Sequence, residues 1–396
     1  MISLVQFLAC FVFCAGVEEN VLCGPKSCDD AKCPELPEKC KIQNATHNGV
    51  FLPSLEMCNC CQYCLENLNE GETCSIGNPS TKMSQTICGP RLSCTLSPNQ
   101  QYDGTCEKMD TYCVKNQTSF DERKKKGTLG NMEVRKKCDD DGQFLSYNCI
   151  PGQSCYCVDV NGSRIFGEMD FTSLPDVDLQ CKCSRDLALA NIIIGRELNP
   201  TEHFRCTANG DYDKFQRIND KFLCVDSSDG APTYPDELMV NSSLATQLKC
   251  YHKGEDDDMY YNKCEKEYVE VLKEVQKYDY DIVFGYTYPK CDPDGTYQAV
   301  QENSTHKMCV DKQGEVLNVV DKKTKKVLAN SMNCKCSRAV LIMTSDEKPT
   351  CKENGNYDPT QCRRGMCRCV DIDGNQVCTK ANCEVEEPKK ATLKCK

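Results

Sequence analysis

Four histidines, His47, His203, His252 and His306, are the first candidates for acid–base or metal chemistry. No two stand in a His-x-x-x-His spacing, so a hydrolytic zinc ion has no ligand pair on a helix. His47 and His306 fall inside or beside Asn-x-Ser/Thr sequons, which belong on exposed loops. The chain has neither a Gly-x-Ser-x-Gly nucleophile elbow nor a phosphate-cradling glycine loop. Asp371-Ile372-Asp373-Gly374 is a fragment of a calcium loop and reads instead as the turn after a strand. The chemistry this chain does carry is that of sulfur, since 36 of its 396 residues are cysteine. Within the CNCCQYC cluster, Cys61-x-x-Cys64 could form a redox pair, and the whole cluster could hold zinc, but both need free thiols. In a secretory chain so many cysteines point to bridges. The expectation is a protein that binds and does not catalyse, with no catalytic residue, metal site or cofactor.

The compartment follows from the same residues. Residues 1–16, MISLVQFLACFVFCAG, are an apolar run that ends at Ala15 and Gly16 before charge begins at Glu18. That is the form of a secretory signal, and the run is shorter than the roughly 20 apolar residues that cross a bilayer. Losing Cys10 and Cys14 with it leaves 34 cysteines, an even number, as full pairing requires. A secreted, extracellular protein is expected. Sequons begin at Asn44, Asn116, Asn161, Asn241 and Asn303, which predicts glycosylated surface loops. The net charge of −11 argues against nucleic acid or an anionic membrane as partner. With no Trp and only 7% aromatic residues, large apolar cores are not expected. Small modules stapled by bridges replace them.

Two kinds of module position the cysteines. Residues 17–109 hold twelve of them, broken into turns by Pro25, Pro34, Pro37 and Pro53. After Met109 a fourfold repeat begins. Cys138, Cys206, Cys291 and Cys351 are each followed four residues on by glycine and six residues on by Phe144, Tyr212, Tyr297 or Tyr357. Each copy then carries Cys-Val-Asp, at Cys157, Cys224, Cys309 and Cys369, and a further glycine, Gly162, Gly230, Gly314 or Gly374. This many fixed positions in four copies is a strong repeat signal. Helical stripes precede the motif in two copies: Tyr268, Val271, Leu272 and Val275, and Leu187, Ala190 and Ile194. Such stripes read as faces packed on the module's own sheet. Cys181-Lys182-Cys183 and Cys334-Lys335-Cys336 leave little hinge between copies one and two, and three and four. The acidic stretch 251–263 reads as a flexible joint between copies two and three.

The four copies resemble the thyroglobulin type-1 domain, CxxxGx[FY]…QC…CWCVD…G…C. The first module, with its CNCCQYC knot and later CGPRLSC, resembles the N-terminal module of insulin-like growth factor-binding proteins. The resemblances imply small disulfide-rich modules in tandem, mostly loops with short β-sheets and a short helix in each repeat. The boundaries are 1–16 for the signal, 17–109 for the first module, then 110–182, 183–251, 252–335 and 336–396 for copies one to four. In the first module the growth-factor-binding family implies Cys23–Cys58, Cys28–Cys60, Cys33–Cys61, Cys40–Cys64, Cys74–Cys94 and Cys88–Cys106. The repeat family implies Cys113–Cys138, Cys149–Cys155 and Cys157–Cys181 in copy one, and Cys336–Cys351, Cys362–Cys367 and Cys369–Cys395 in copy four. Copy four also has an extra local pair, Cys378–Cys383. Copies two and three hold Arg217 with Phe222, and Glu302 with Lys307, in the slots of the second bridge. They keep Cys183–Cys206 with Cys224–Cys250, and Cys264–Cys291 with Cys309–Cys334.

Some thyroglobulin type-1 domains inhibit papain-like cysteine proteases through bridged loops, and this is the first function the resemblance implies. The contact loops would be Gln143–Asn148 with the Cys149–Cys155 turn, and Asn356–Gln361 with Arg363–Met366. Their candidate contact residues are Gln143, Phe144, Tyr147, Tyr156, Tyr357, Arg363, Arg364 and Met366. The family's tryptophan slot holds Tyr156, Leu223, Met308 and Arg368. The alternatives are capture of an insulin-like peptide by the first module, beside Leu92, and a structural matrix glycoprotein.

Overall fold

The computed structural model describes residues 32–33, 35, 47–50, 63–76, 86–98, 100–172, 174–219, 221–233, 239–252, 260–277, 287–378 and 383–395. The expected signal, residues 58–62 of the cysteine knot and Asn44 lie outside the described residues, and with them the pairs expected for Cys23, Cys28, Cys33 and Cys40; Cys33 itself is disulfide-bonded. The chain divides into two compact units, one of residues 1–114 with 139–142, the other of 115–138 with 143–396.

The first unit holds strands β1 (His47–Val50), β2 (Tyr63–Leu68), β3 (Thr73–Ser75), β4 (Thr86–Cys88), β5 (Leu92–Leu96) and β6 (Asp103–Lys108). They form two three-stranded sheets, ordered β1-β2-β4 and β3-β6-β5. Cys74 is bonded to Cys94, and Cys88 to Cys106. Strands this short bury little, and the bridge sulfurs stand in for a core, with Cys106 fully buried.

In the second unit each copy contributes one three-stranded antiparallel sheet. Copy one has β7 (Tyr147–Ile150), β8 (Ser154–Val158) and β9 (Arg164–Asp170). Copy two has β10 (Phe215–Ile218), β11 (Lys221–Cys224) and β12 (Val240–Asn241). Copy three has β13 (Val300–Glu302), β14 (His306–Val310) and β15 (Val316–Asp321). Copy four has β16 (Thr360–Arg363), β17 (Met366–Cys369) and β18 (Glu384–Glu386). The helices are α1 (Tyr112–Lys125), α2 (Pro175–Asp178), α3 (Lys182–Ile194), α4 (Lys263–Gln276), α5 (Lys326–Asn330) and α6 (Lys335–Ile342). Helices α1, α3, α4 and α6 open the four copies. Tyr268 of the α4 stripe packs with Cys264, Cys291, Tyr297 and Val310 of its own module, while Val271, Leu272 and Val275 are half-buried. No helix among the described residues is long and apolar enough to cross a membrane.

The repeated aromatic and glycine explain each other. Cys138, Cys206, Cys291 and Cys351 form isolated β-bridges with Phe144, Tyr212, Tyr297 and Tyr357. Each ring then lies flat on the glycine of the turn after Cys-Val-Asp. A Cβ at Gly374 would stand 2.7 Å from the Tyr357 ring, and its φ of +90° is one that side chains rarely adopt.

The copies are locked in sequence. Cys181 and Cys334, both left-handed at φ 58°, turn the chain straight into α3 and α6. Gly210 sits on the Cys157 sulfur and Gly355 on the Cys309 sulfur, so copies one and two meet as copies three and four do. Arg185 of copy two donates to the Phe144 and Val158 carbonyls of copy one, and Arg338 of copy four to the Tyr297 carbonyl of copy three.

The join between copies two and three differs from the flexible joint expected of 251–263. Residues 253–259 lie outside the described residues, but Tyr260 is buried and Arg205 stacks on its ring at 3.8 Å. Arg205 also pairs with Glu265 at 2.9 Å, and Glu265 closes the capping box of α4 with Asn262. An ion pair buried on both sides, over an aromatic face, holds the two copies together.

Candidate functional site

The hairpin of the Cys149–Cys155 turn is where bridged loops were expected to act. Strands β7 and β8 place Cys149 directly opposite Cys155, and β16 and β17 place Cys362 opposite Cys367. Both pairs are bonded, as are Cys157–Cys181, Cys336–Cys351, Cys369–Cys395 and Cys378–Cys383. In copies two and three the same cross-strand position holds Arg217 opposite Phe222, and Glu302 opposite Lys307. The bonds there are Cys183–Cys206, Cys224–Cys250, Cys264–Cys291 and Cys309–Cys334. Cys113 and Cys138 are each disulfide-bonded.

The two clamped hairpins are not both free at the surface. Arg363 of copy four lies against Gly152 and donates through Nη1 to the Pro151 carbonyl at 3.0 Å, capping the copy-one tip. Asn375 of copy four meets the Tyr156 hydroxyl at 2.8 Å and Asn148 at 3.0 Å. Gln376 accepts from the Met132 N–H, and Glu384 from the Asn131 N–H and side chain. Thr344 bonds Asp170. Copy one therefore packs on copy four, as well as on copy two.

This placement corrects part of the expected contact surface. Phe144, Tyr156 and Tyr357 are buried rather than presented to a partner. Phe144 and Tyr357 are held by their turn glycines. Tyr156 lies under Arg164, whose guanidinium stacks on the ring at 4.3 Å. Burial pushes the Tyr156 and Tyr357 hydroxyls well above the ordinary tyrosine value. Gln143 and Arg364 are exposed, Tyr147 and Met366 half-buried, and Arg363 is engaged with Pro151 and Glu347. What sequence reasoning missed is the contact between copies one and four: Asn148 and Pro151 lie in the expected loops, but their partners Asn375 and Arg363, and Gln376 beside them, were not expected to meet copy one. They touch between copies distant in sequence, and no spacing within one repeat announces that.

A cleft of about 480 Å³ opens beside the contact, lined by α1, residues 132–136, the Cys149–Gln153 turn, residues 346–349 and the copy-four sheet. Burial lowers the Lys136 ammonium on its wall to about 8. Among the described residues, two clusters bring sulfurs to metal-ligand proximity, Cys74 with Cys88 and Cys94, and Cys378 with Cys383 and Glu133. Their sulfurs are spent in bridges, so no thiolate is offered. Burial depresses His203, whose Nε2 has no partner, and His306 stands exposed by Thr305 and Asp321. The Thr305 hydroxyl lies 2.8 Å from the His306 Nδ1, and the Asp321 carboxylate 3.8 Å from its Nε2. Asn116, Asn161, Asn241 and Asn303 are all exposed.

Fold and bridging together define a tandem of small disulfide-rich modules. The family model for the thyroglobulin type-1 repeat matches residues 106–177, 264–329 and 343–389. These regions resemble copies one, three and four; copy two lies between the matched regions yet shares their hairpin register. A second family model, fungal protease inhibitor, matches residues 13–110, the region that resembled a growth-factor-binding module. Among curated proteins the chain is similar to thyroglobulin from Homo sapiens, 24% identical over 311 residues. That match takes in 63% of this chain and 11% of thyroglobulin.

Proposed function

We propose that this chain is a secreted, non-catalytic inhibitor of proteases, and that papain-like cysteine proteases are the class it takes. The observation that carries the reading is the match of residues 13–110 to a fungal protease inhibitor model, ahead of repeats of the thyroglobulin type-1 kind. The physical support is preorganisation. A hairpin clamped across its strands by Cys362–Cys367 loses little freedom on binding and resists being threaded into a protease cleft. Its tip residue Arg364 is exposed at the turn, whereas the equivalent copy-one tip is capped by Arg363. Copy four is thus the better-presented inhibitory loop. The exposed sequon asparagines are its glycosylation sites.

The test titrates the purified full chain against papain and, in parallel, trypsin. Inhibition of papain at micromolar concentration or below, with the chain recovered intact, is the expected result. Rapid digestion by both enzymes without inhibition overturns the reading. Inhibition of trypsin alone would move the activity to the first module.

A further inference from the structure

The cleft between copies one and four has a charge balance unlike the rest of the chain. The protein carries a net −11, yet six Arg and Lys side chains line this cleft against four carboxylates. Most of those carboxylates are already used. Glu133 takes both arms of Arg123, at 2.6 and 2.8 Å. Glu347 takes Arg363 and Arg364. Asp371 accepts the Asp373 and Asn375 N–H groups of its own turn.

Two cations have only loose counter-charges: Arg368 pairs with Glu384 at 3.9 Å, and Lys136 feels Asp371 and Asp373 without a direct ion pair to either. Arg368 is 9% exposed and its Nε has no hydrogen-bond partner. The carboxylate beside it, Glu384, stands 3.9 Å away and is occupied by Asn131 and Gln376. Its strand neighbour Gln361 is likewise saturated by Thr350 and Asp358. Lys136, which also lines the cleft, makes no ion pair among the described residues, although Asp371 and Asp373 act on it. A buried guanidinium with an unmade bond is costly, and a planar, forked donor is matched by a carboxylate.

We propose that this cleft binds a carboxylate-bearing ligand, with the carboxylate seated on Arg368 and Lys136 supplying the second positive charge. The carboxylate has two possible sources, a small organic acid or the C-terminus of a peptide. The lowered Lys136 ammonium fits the site, because desolvation depresses it by more than Asp371 and Asp373 raise it.

The experiment is calorimetric titration of the full chain at pH 7 with succinate, with acetyl-tetra-alanine bearing a free C-terminus, and with the amide of that peptide. Saturable binding of either carboxylate, and none of the amide, is expected. Succinate alone would mark a small-acid site, and the peptide alone a terminus site. Arg368→Met should weaken binding at least tenfold with the disulfides intact. Lys136→Met reads the same loss if the Arg368 variant fails to fold. Raising the pH from 7 to 9 should weaken binding several-fold, as Lys136 loses its charge. Absence of saturable binding by the native chain, or unchanged affinity in the folded variants, overturns the proposal.

Discussion

The Arg363 guanidinium donates to the Pro151 carbonyl at 3.0 Å, so the flank of hairpin β16–β17 closes over the tip of hairpin β7–β8. Glu347 steadies the same guanidinium from its other side at 2.5 Å. A hydrogen bond to a charged group contributes about 1.5–3 kcal/mol. Arg363→Ala is therefore expected to cost that much at most and to raise amide exchange several-fold across the Cys149–Cys155 turn. Under the proposed function, the uncovered copy-one tip should also tighten inhibition of papain. Unchanged exchange in that turn would show that the two hairpins do not hold one another.

The Arg205–Glu265 pair makes a sharper demand. Both side chains are buried, and Arg205 also stacks on Tyr260. Removing one partner of a buried pair strands the other charge, at about 3–5 kcal/mol. Arg205→Met should lose stability of that order in urea unfolding. Arg205→Met with Glu265→Gln should recover part of it, because the amide carries no charge to strand. A single variant that loses less than about 1 kcal/mol would contradict the pair's role in joining copies two and three.

The repeat was legible because its residues act locally. A glycine under an aromatic ring and cysteines at fixed spacing must recur wherever the module recurs, and Gly374 against Tyr357 shows why. The class of small disulfide-rich modules followed from this. What the sequence could not show was how the copies fold back on each other. Asn375 is one polar residue in a turn, and nothing in its neighbours points to Tyr156, 219 residues away. Tyr156 was read as a contact residue from its slot in the pattern, and it is buried under Arg164 of its own module with its hydroxyl taken by Asn375 of another. The acidic stretch misled in a similar way. Its charge argued for a free joint, while Tyr260 at its end supplies the ring on which Arg205 rests.

His203 predicts a pH dependence. Burial lowers it, and its ring Nδ1 is taken by the Phe204 carbonyl at 2.9 Å while Nε2 has no partner. Glu202, Arg205 and Asp294 are the charged groups that act on it. Its folded pKa lies below the unfolded value of 6.5, so the unfolded chain binds the proton more readily. The contribution is present above pH 6.5 and is lost as pH falls through the folded pKa. Urea midpoints should decline from pH 7 to pH 5, and His203→Gln should flatten part of that decline. An identical slope in the variant would remove His203 from the account.

The two copies without the second bridge should respond oppositely to having it restored. A bridge closing so short a loop contributes about 2 kcal/mol. In copy two the slots hold Arg217 and Phe222, and Phe222 is buried, stacked on Phe215 at 5.2 Å and edge-on to Tyr260. Truncating a buried Phe costs about 3–5 kcal/mol. Arg217 also gives up its bond to the Tyr261 hydroxyl. Arg217→Cys with Phe222→Cys should therefore form the bridge and still be less stable. In copy three, Glu302 pairs with Lys290 and Lys322 near the surface, at 3.3 and 3.0 Å, each worth about 0–1 kcal/mol. Glu302→Cys with Lys307→Cys should raise stability by about 1 kcal/mol. Thermal unfolding of both double variants, with the new bridges mapped by mass, decides the matter. Stabilisation of copy two would mean that its aromatic cluster does not replace the missing bridge.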